Sequence, residues 1–144
     1  MSYGKTNKLH IVAVTMVIPN QAGKFLLVRR SEREIAFPGK WALPGGKIED
    51  DDSVMETLKK EALEEVGLVI DDRRVYLNDG HFIRPDDQTV KVFTYLVFPK
   101  TYQVNISDDF TDYQWVGLEE LANFDCLTNL RFELEKAQEF LENI

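Results

Sequence analysis

Glu61, Glu64 and Glu65 stand near the end of a segment whose spacing predicts a helix, and the loop Pro44-Gly45-Gly46-Lys47 leads into it. Each helical residue turns about 100°, so residues three or four apart share a face. The three carboxylates therefore fall within roughly 100° of one another. Anions held so close raise one another's pKa unless a cation sits among them. A hard divalent ion, Mg²⁺ or Mn²⁺, prefers oxygen ligands and answers that need.

A run of charges on an amphipathic helix is ordinarily its solvated face. Glu65 departs from that pattern, because the helical wheel puts it between Val54 and Leu58, inside the apolar arc formed with Met55 and Ala62. Glu56 and Lys59 lie on the far side and serve solvation, while Lys60 lies nearer Glu64 and is placed to support it. Both ends of the helix are legible. Ser53 followed by Glu56 makes the reciprocal capping pattern, and Gly67 supplies a left-handed terminator, which predicts a helix over Ser53 to Val66. Upstream, Gly45 and Gly46 let backbone approach a phosphate or a metal closely, and Pro44 stiffens that approach.

These residues resemble a known family. Gly46, five residues, the acid Asp52, seven residues and then Lys60-Glu61-Ala62-Leu63-Glu64-Glu65-Val66-Gly67-Leu68 is similar to the Nudix box of the Nudix hydrolases, a pattern of 23 residues. Two positions depart from it: Asp52 stands where the family usually has glutamate, and Lys60 where it usually has arginine. Aspartate is one methylene shorter and lysine lacks the planar fork of arginine, so the change falls on a supporting pair. The resemblance implies an α/β fold, the Nudix α/β/α sandwich around a mixed β-sheet. It also implies Glu61, Glu64 and Glu65 as metal and catalytic glutamates, with the Gly46 carbonyl as a further ligand. Of the three, Glu64 and Glu65 are expected as principal ligands, with Glu61 orienting or deprotonating water. The expected reaction is metal-dependent hydrolysis of a diphosphate linkage. A nucleoside triphosphate giving a nucleoside monophosphate and pyrophosphate is the first substrate reading, and ADP-ribose or another nucleotide sugar is the alternative. A nucleotide-binding module without turnover is a reading of a different class.

Phosphate-binding cations should come from outside the box. Arg29, Arg30 and Lys40 lie between the second strand and the glycine loop, and strand alternation allows only one of the two arginines to face inward. Arg30 resembles the substrate-contacting arginine of some nucleoside-triphosphate members. Asp108 and Asp109, with Phe110 and Trp115 nearby, offer acceptors and an aromatic surface for a base, or else are solvated turn acids. Trp41 and Trp115 read as core residues with a polar handle. Arg30, Lys40 and Asp109 are the substrate-binding candidates.

Composition limits the partners. A chain of 144 residues with 44% hydrophobic content suits one globular domain over residues 1–144. Its formal charge of −8 argues against a nucleic-acid polymer, whose binding draws on Lys and Arg, and leaves a small nucleotide carried with metal. The apolar run Ile11 to Ile18 is far shorter than the about 20 residues a membrane span needs. The polar opening, Met1 to His10, does not read as a signal peptide. With Cys126 as the only cysteine, no intrachain disulfide is expected, and a cytoplasmic setting fits.

The elements that must position the site read as strands over Leu9 to Ile18, Lys24 to Arg30, Arg74 to Ile83, Thr89 to Phe98 and Tyr113 to Val116. Helices are predicted at Leu118 to Ala122 and Leu127 to Glu142. In the last, Leu130, Leu134, Ala137, Leu141 and Ile144 form one apolar stripe, which packs on the core or offers a seam to a second copy in a homodimer.

Overall fold

The N-terminal apolar run folds as strand β1, Ile11–Val17, whose residues Val14, Met16 and Val17 are fully buried. The structure, a computed structural model, describes residues 8–144, so the first seven residues of the polar opening lie outside the described residues. Strand β2, Phe25–Arg30, follows a turn in which the Asn20 carboxamide oxygen accepts from Ala22 and Lys24 and Gly23 takes the left-handed φ of 77°. Two short strands come next, β3 at Trp41–Ala42 and β4 at Gly45–Lys47. Helix α1 spans Val54–Val66, and the chain then lays down β5 at Ile70–Ile83, β6 at Thr89–Pro99 and β7 at Phe110–Val116. A short 3-10 helix, Leu118–Asn123, and helix α2, Leu130–Glu142, complete it.

The strands form two sheets. One has the order β4-β1-β6-β5, with β1 and β6 parallel and the other two pairings antiparallel, and the second has the antiparallel order β3-β2-β7. Side chains alternate across β1, which splits the apolar residues into two cores. Val14 and Met16 pack with Leu58, Ala62 and Val66 of α1, while Val17 packs with Leu96 and with Leu130, Leu134 and Ala137 of α2. The helices thus cover opposite faces of a mixed sheet, the expected layered α/β arrangement. Each fully buried valine or leucine here contributes about 1.5–3 kcal/mol. Among the described residues no helix is long and apolar enough to cross a membrane.

Several boundaries differ from the sequence reading. The glycine loop is itself a strand, β4, paired with β1 through Thr15↔Gly45 and Val14↔Gly46. Glycine has poor strand propensity, and only the partner strand overrides it. Strand β5 starts at Ile70 rather than Arg74, with register shifts between Ile70 and Arg74 and between Tyr76 and Asn78 that break the alternation. Strand β7 begins at Phe110 rather than Tyr113, and α2 begins at Leu130 because the Leu127 N–H is donated to the Trp41 carbonyl. The α2 stripe is spent inside the molecule at Leu130, Leu134 and Ala137, whereas Ile144 is 77% exposed.

Gly45 has no room for a side chain: a Cβ there would lie 2.1 Å from the Val14 carbonyl oxygen and 2.8 Å from the Thr15 Cα. Gly45→Ala is expected to lose about 1–3 kcal/mol in urea unfolding. Gly80→Ala, whose nearest neighbour is the end of the Asn129 side chain at 3.5 Å, should change stability far less. Equal losses would show that β4 shifts freely against β1.

Candidate active site

The start of α1 is held by its own sequence. The Ser53 hydroxyl accepts from the Glu56 N–H at 3.1 Å, and the Glu56 carboxylate accepts from the Ser53 N–H at 3.0 Å. Gly67 ends the helix with φ 70°, and its N–H is donated to the Leu63 carbonyl at 3.0 Å. Burial of Leu58, Ala62 and Val66 then sets the rotation of the helix, which turns Glu61 toward β4 and Glu65 toward the segment entering β7.

Glu61 is the deepest of the three glutamates, 7% exposed, and its carboxylate lies over Gly46 so closely that a Cβ there would sit 2.4 Å from Cδ. The sequence wheel places Glu65 inside the apolar arc without singling out Glu61; in the fold Glu61 is buried, Glu65 half-buried and Glu64 exposed. The difference comes from β4, a strand the wheel does not contain, which closes over Glu61. Burial pushes the Glu61 carboxyl up, with Glu64 and Glu49 adding to it, while Lys60 and a hydrogen bond with Glu65 work the other way.

Glu65 is pushed up to about 7, first by burial and then by the charge of Asp109, with smaller additions from Glu61 and Glu34. One hydrogen bond opposes this: the Ser107 hydroxyl is donated to the Glu65 carboxylate at 3.1 Å. Asp109 belongs here, beside Glu65, while its neighbours Phe110 and Trp115 are partly buried against the core on the α1 face.

Asp52 and Lys60 meet as an ion pair at 3.5 Å. Partial burial works against the Lys60 ammonium, but Asp52, Glu49 and Glu64 outweigh it and hold its pKa above the ordinary value. Of the two strand arginines, Arg30 turns inward. It donates to the Ala36 carbonyl at 2.8 Å and pairs at 3.3 Å with Glu34, whose charge reaches Glu65. Lys40 goes elsewhere, its ammonium paired with Asp125 at 2.8 Å. That pairing turns it toward the segment before α2, because β3 ties this stretch to residues 125–127.

As placed, no group of three or more His, Cys, Asp or Glu side chains among the described residues is gathered to hold an ion. The rotation of α1 set by its apolar face leaves Glu64 exposed while Glu61 and Glu65 face the protein. The donor set nevertheless fits a hard divalent ion. It is all oxygen, two of its carboxyls are held partly out of water, and the glycine beneath Glu61 leaves space where any side chain would intrude.

The opposite face carries polar residues that the sequence reading missed. Gly45, Thr15, Thr94 and Asn78 stand in register across all four strands of the larger sheet. The Thr15 and Thr94 hydroxyls are 2.8 Å apart, and Glu133 of α2, 9% exposed, hydrogen-bonds Thr94 and Asn78. Burial pushes the Glu133 carboxyl up, and those two hydrogen bonds oppose it. One step further along the same face, Ala13, Val92 and Gly80 are only half-buried although β1 and β6 are central strands, so α2 does not cover that floor. Glu133 was detectable: on the helical wheel it falls between Phe140 and Ile144, at the edge of the α2 stripe.

A family model described as the NUDIX domain matches residues 9–138. The nucleoside triphosphatase NudI of Salmonella agona (strain SL483) is 34% identical over 139 residues, covering 83% of this chain and 93% of that protein. NudI of Klebsiella pneumoniae (strain 342) is 30% identical over 137 residues, with 85% and 94% covered. Among solved structures, the MutT protein from Methanosarcina mazei Go1 superposes with a TM-score of 0.75 at 27% identity, covering 97% of this chain and 100% of that one. The NUDIX domain of Shewanella oneidensis NrtR, crystallised with ADP ribose, shares the fold with a TM-score of 0.75 at 22% identity, covering 94% and 90%.

A raised Glu65 pKa means that the folded protein holds this proton more tightly than the unfolded chain does. The stability it contributes is complete below the ordinary carboxyl pKa and is lost as pH rises through about 7. With a chelator present, the melting temperature is expected to fall between about pH 5 and about pH 8, and to fall less in Glu65→Gln. Adding Mg²⁺ at the higher pH should stabilise the wild type and leave the variant unmoved. Equal pH slopes for the two proteins would mean that Glu65 ionises as a free carboxyl.

Proposed function

The chain belongs to the NUDIX family and is a Nudix pyrophosphohydrolase, and from that premise we propose that it cleaves a nucleoside triphosphate to a nucleoside monophosphate and pyrophosphate. The observation that carries the reading is the packing of Glu61 onto Gly46, with Glu65 beside it and Glu64 one turn face away. Nudix hydrolases use divalent metal. Here Mg²⁺ or Mn²⁺ is the proposed ion, with Glu61, Glu64, Glu65 and Gly46 as its holders. When bound, such an ion neutralises phosphate charge and eases the loss of a proton from water.

The chain's own groups do the rest. Glu61 is proposed to orient or deprotonate the attacking water, with Glu64 and Glu65 as the principal ligands. Arg30 is the proposed phosphate contact, since exchanging Glu34 for a phosphate oxygen keeps its charge paired. Asp52 and Lys60 hold the approach to Glu64. Lys40 is the weaker substrate candidate because Asp125 already occupies it.

The nucleoside is proposed to lie on the half-buried floor of Ala13 and Val92, beside Gly80, over which the Asn129 side chain reaches. Strand β4 is a three-residue edge strand, so a ligand rounding it passes from the Gly46 side to the Gly45 side. Small side chains suit a flat ring, and Thr15, Asn78 and Glu133 offer hydrogen-bonding groups for its edge. The NudI relatives carry the name nucleoside triphosphatase, which agrees with this choice.

The test is a panel of nucleoside triphosphates and nucleotide sugars with Mg²⁺, products separated by chromatography. Nucleoside triphosphates should be cleaved fastest, and faster cleavage of ADP-ribose would overturn the substrate reading. Glu61→Gln and Glu65→Gln should each lower turnover by about 100-fold or more, since a lost ligand removes several kcal/mol of charge stabilisation. Glu133→Gln should reorder the preferred bases by about 10-fold in kcat/KM. An unchanged order would move base reading away from α2.

A further inference from the structure

We propose that Ser107 is a positioning residue, locking the Glu65 carboxylate in the orientation that receives the metal; the inference rests on the reading that Glu65 is a metal ligand. Ser107 lies 42 residues from Glu65, yet two hydrogen bonds join them. The Ser107 N–H is donated to the Glu65 backbone carbonyl at 2.9 Å, and the Ser107 hydroxyl is donated to Glu65 Oε2 at 3.1 Å. The first bond satisfies a carbonyl that the last turn of α1 leaves without a helical partner. The second holds the side chain above it.

A serine hydroxyl has one proton to donate and lone pairs left to accept. Here the lone pairs face the Asp109 N–H at 3.4 Å, so the proton is directed to Glu65. With Oε2 held by the hydroxyl, rotation of the carboxylate would break the bond. The mount is rigid. Asn105 donates to the Val66 carbonyl at 2.9 Å, Val104 and Ile106 pack into the core beside α1, and Phe110 donates to the Ser107 carbonyl at 3.2 Å. Each of these interactions bears on the 104–110 segment, so Ser107 sits on a brace that cannot drift without uncovering the end of α1.

The experiment titrates Mn²⁺ alone, without nucleotide, into wild type, Ser107→Ala, Ser107→Thr, Glu65→Gln and the double variant Ser107→Ala/Glu65→Gln. Binding is followed by calorimetry, and apo stability by urea melting. Ser107→Ala should weaken Mn²⁺ affinity by about 10- to 100-fold, the usual effect of losing a hydrogen bond behind a ligand. Ser107→Thr, which keeps the hydroxyl, should recover most of it, and the double variant should bind no more weakly than Glu65→Gln. In activity assays the loss should appear as a higher metal requirement rather than a lower rate at saturating metal. If Ser107→Ala keeps its Mn²⁺ affinity within twofold while Glu65→Gln loses it, Ser107 only braces the fold and the inference is overturned. If Glu65→Gln keeps its affinity, the ligand reading itself fails, whatever Ser107 does.

Discussion

Packing α1 against the first sheet carries Glu61 and Glu65 partly out of water while keeping them within hydrogen-bond reach of each other. That arrangement opposes folding, because a desolvated carboxylate is disfavoured and two of them repel. The rest of the structure can be understood from it. The apolar stripe of Leu58, Ala62 and Val66 supplies burial that offsets the cost. Lys60 lowers part of the charge around Glu61, and Ser107 satisfies one oxygen of Glu65. The remaining imbalance is of the kind that a divalent ion, held as proposed by these carboxylates, would remove.

The same constraint explains why glycine stands at two successive positions of β4. Gly46 faces α1 and must leave space for the Glu61 carboxylate, whereas Gly45 faces the other way and lies against the backbone of Val14 and Thr15. An edge strand of three residues made of such small groups leaves little between the two faces of the sheet. The acidic site on one face and the Gly45 end of the polar row on the other are therefore close neighbours through β4.

Burial at Glu133 repeats the physics of Glu65 in a neutral setting. Its carboxyl has hydroxyl and carboxamide partners but no like charge among the groups that shift it, so hydrogen bonds alone temper its rise. Two apolar helix stripes in one small protein each carry a glutamate. In both cases it marks a place where the helix meets polar groups rather than more core.

The sequence alone determined what is local in its physics. Helix α1 and its caps follow from Ser53, Glu56 and Gly67, because each acts within a few residues, and the spacing of Glu61, Glu64 and Glu65 follows from helical geometry. The family pattern rests on those same residues. The pairing of Asp52 with Lys60 was legible for that reason, and Glu133 was legible to the wheel that singled out Glu65. Tertiary structure decided the rest. A run of two glycines gives no sign of being a strand until β1 pairs with it, and that pairing is what closes over Glu61. Ser107 meets Glu65 across 42 residues, Asp109 approaches it by way of that loop, and Lys40 is drawn away to Asp125. Burial and charge depend on which distant segments close over a residue, and no local pattern encodes that.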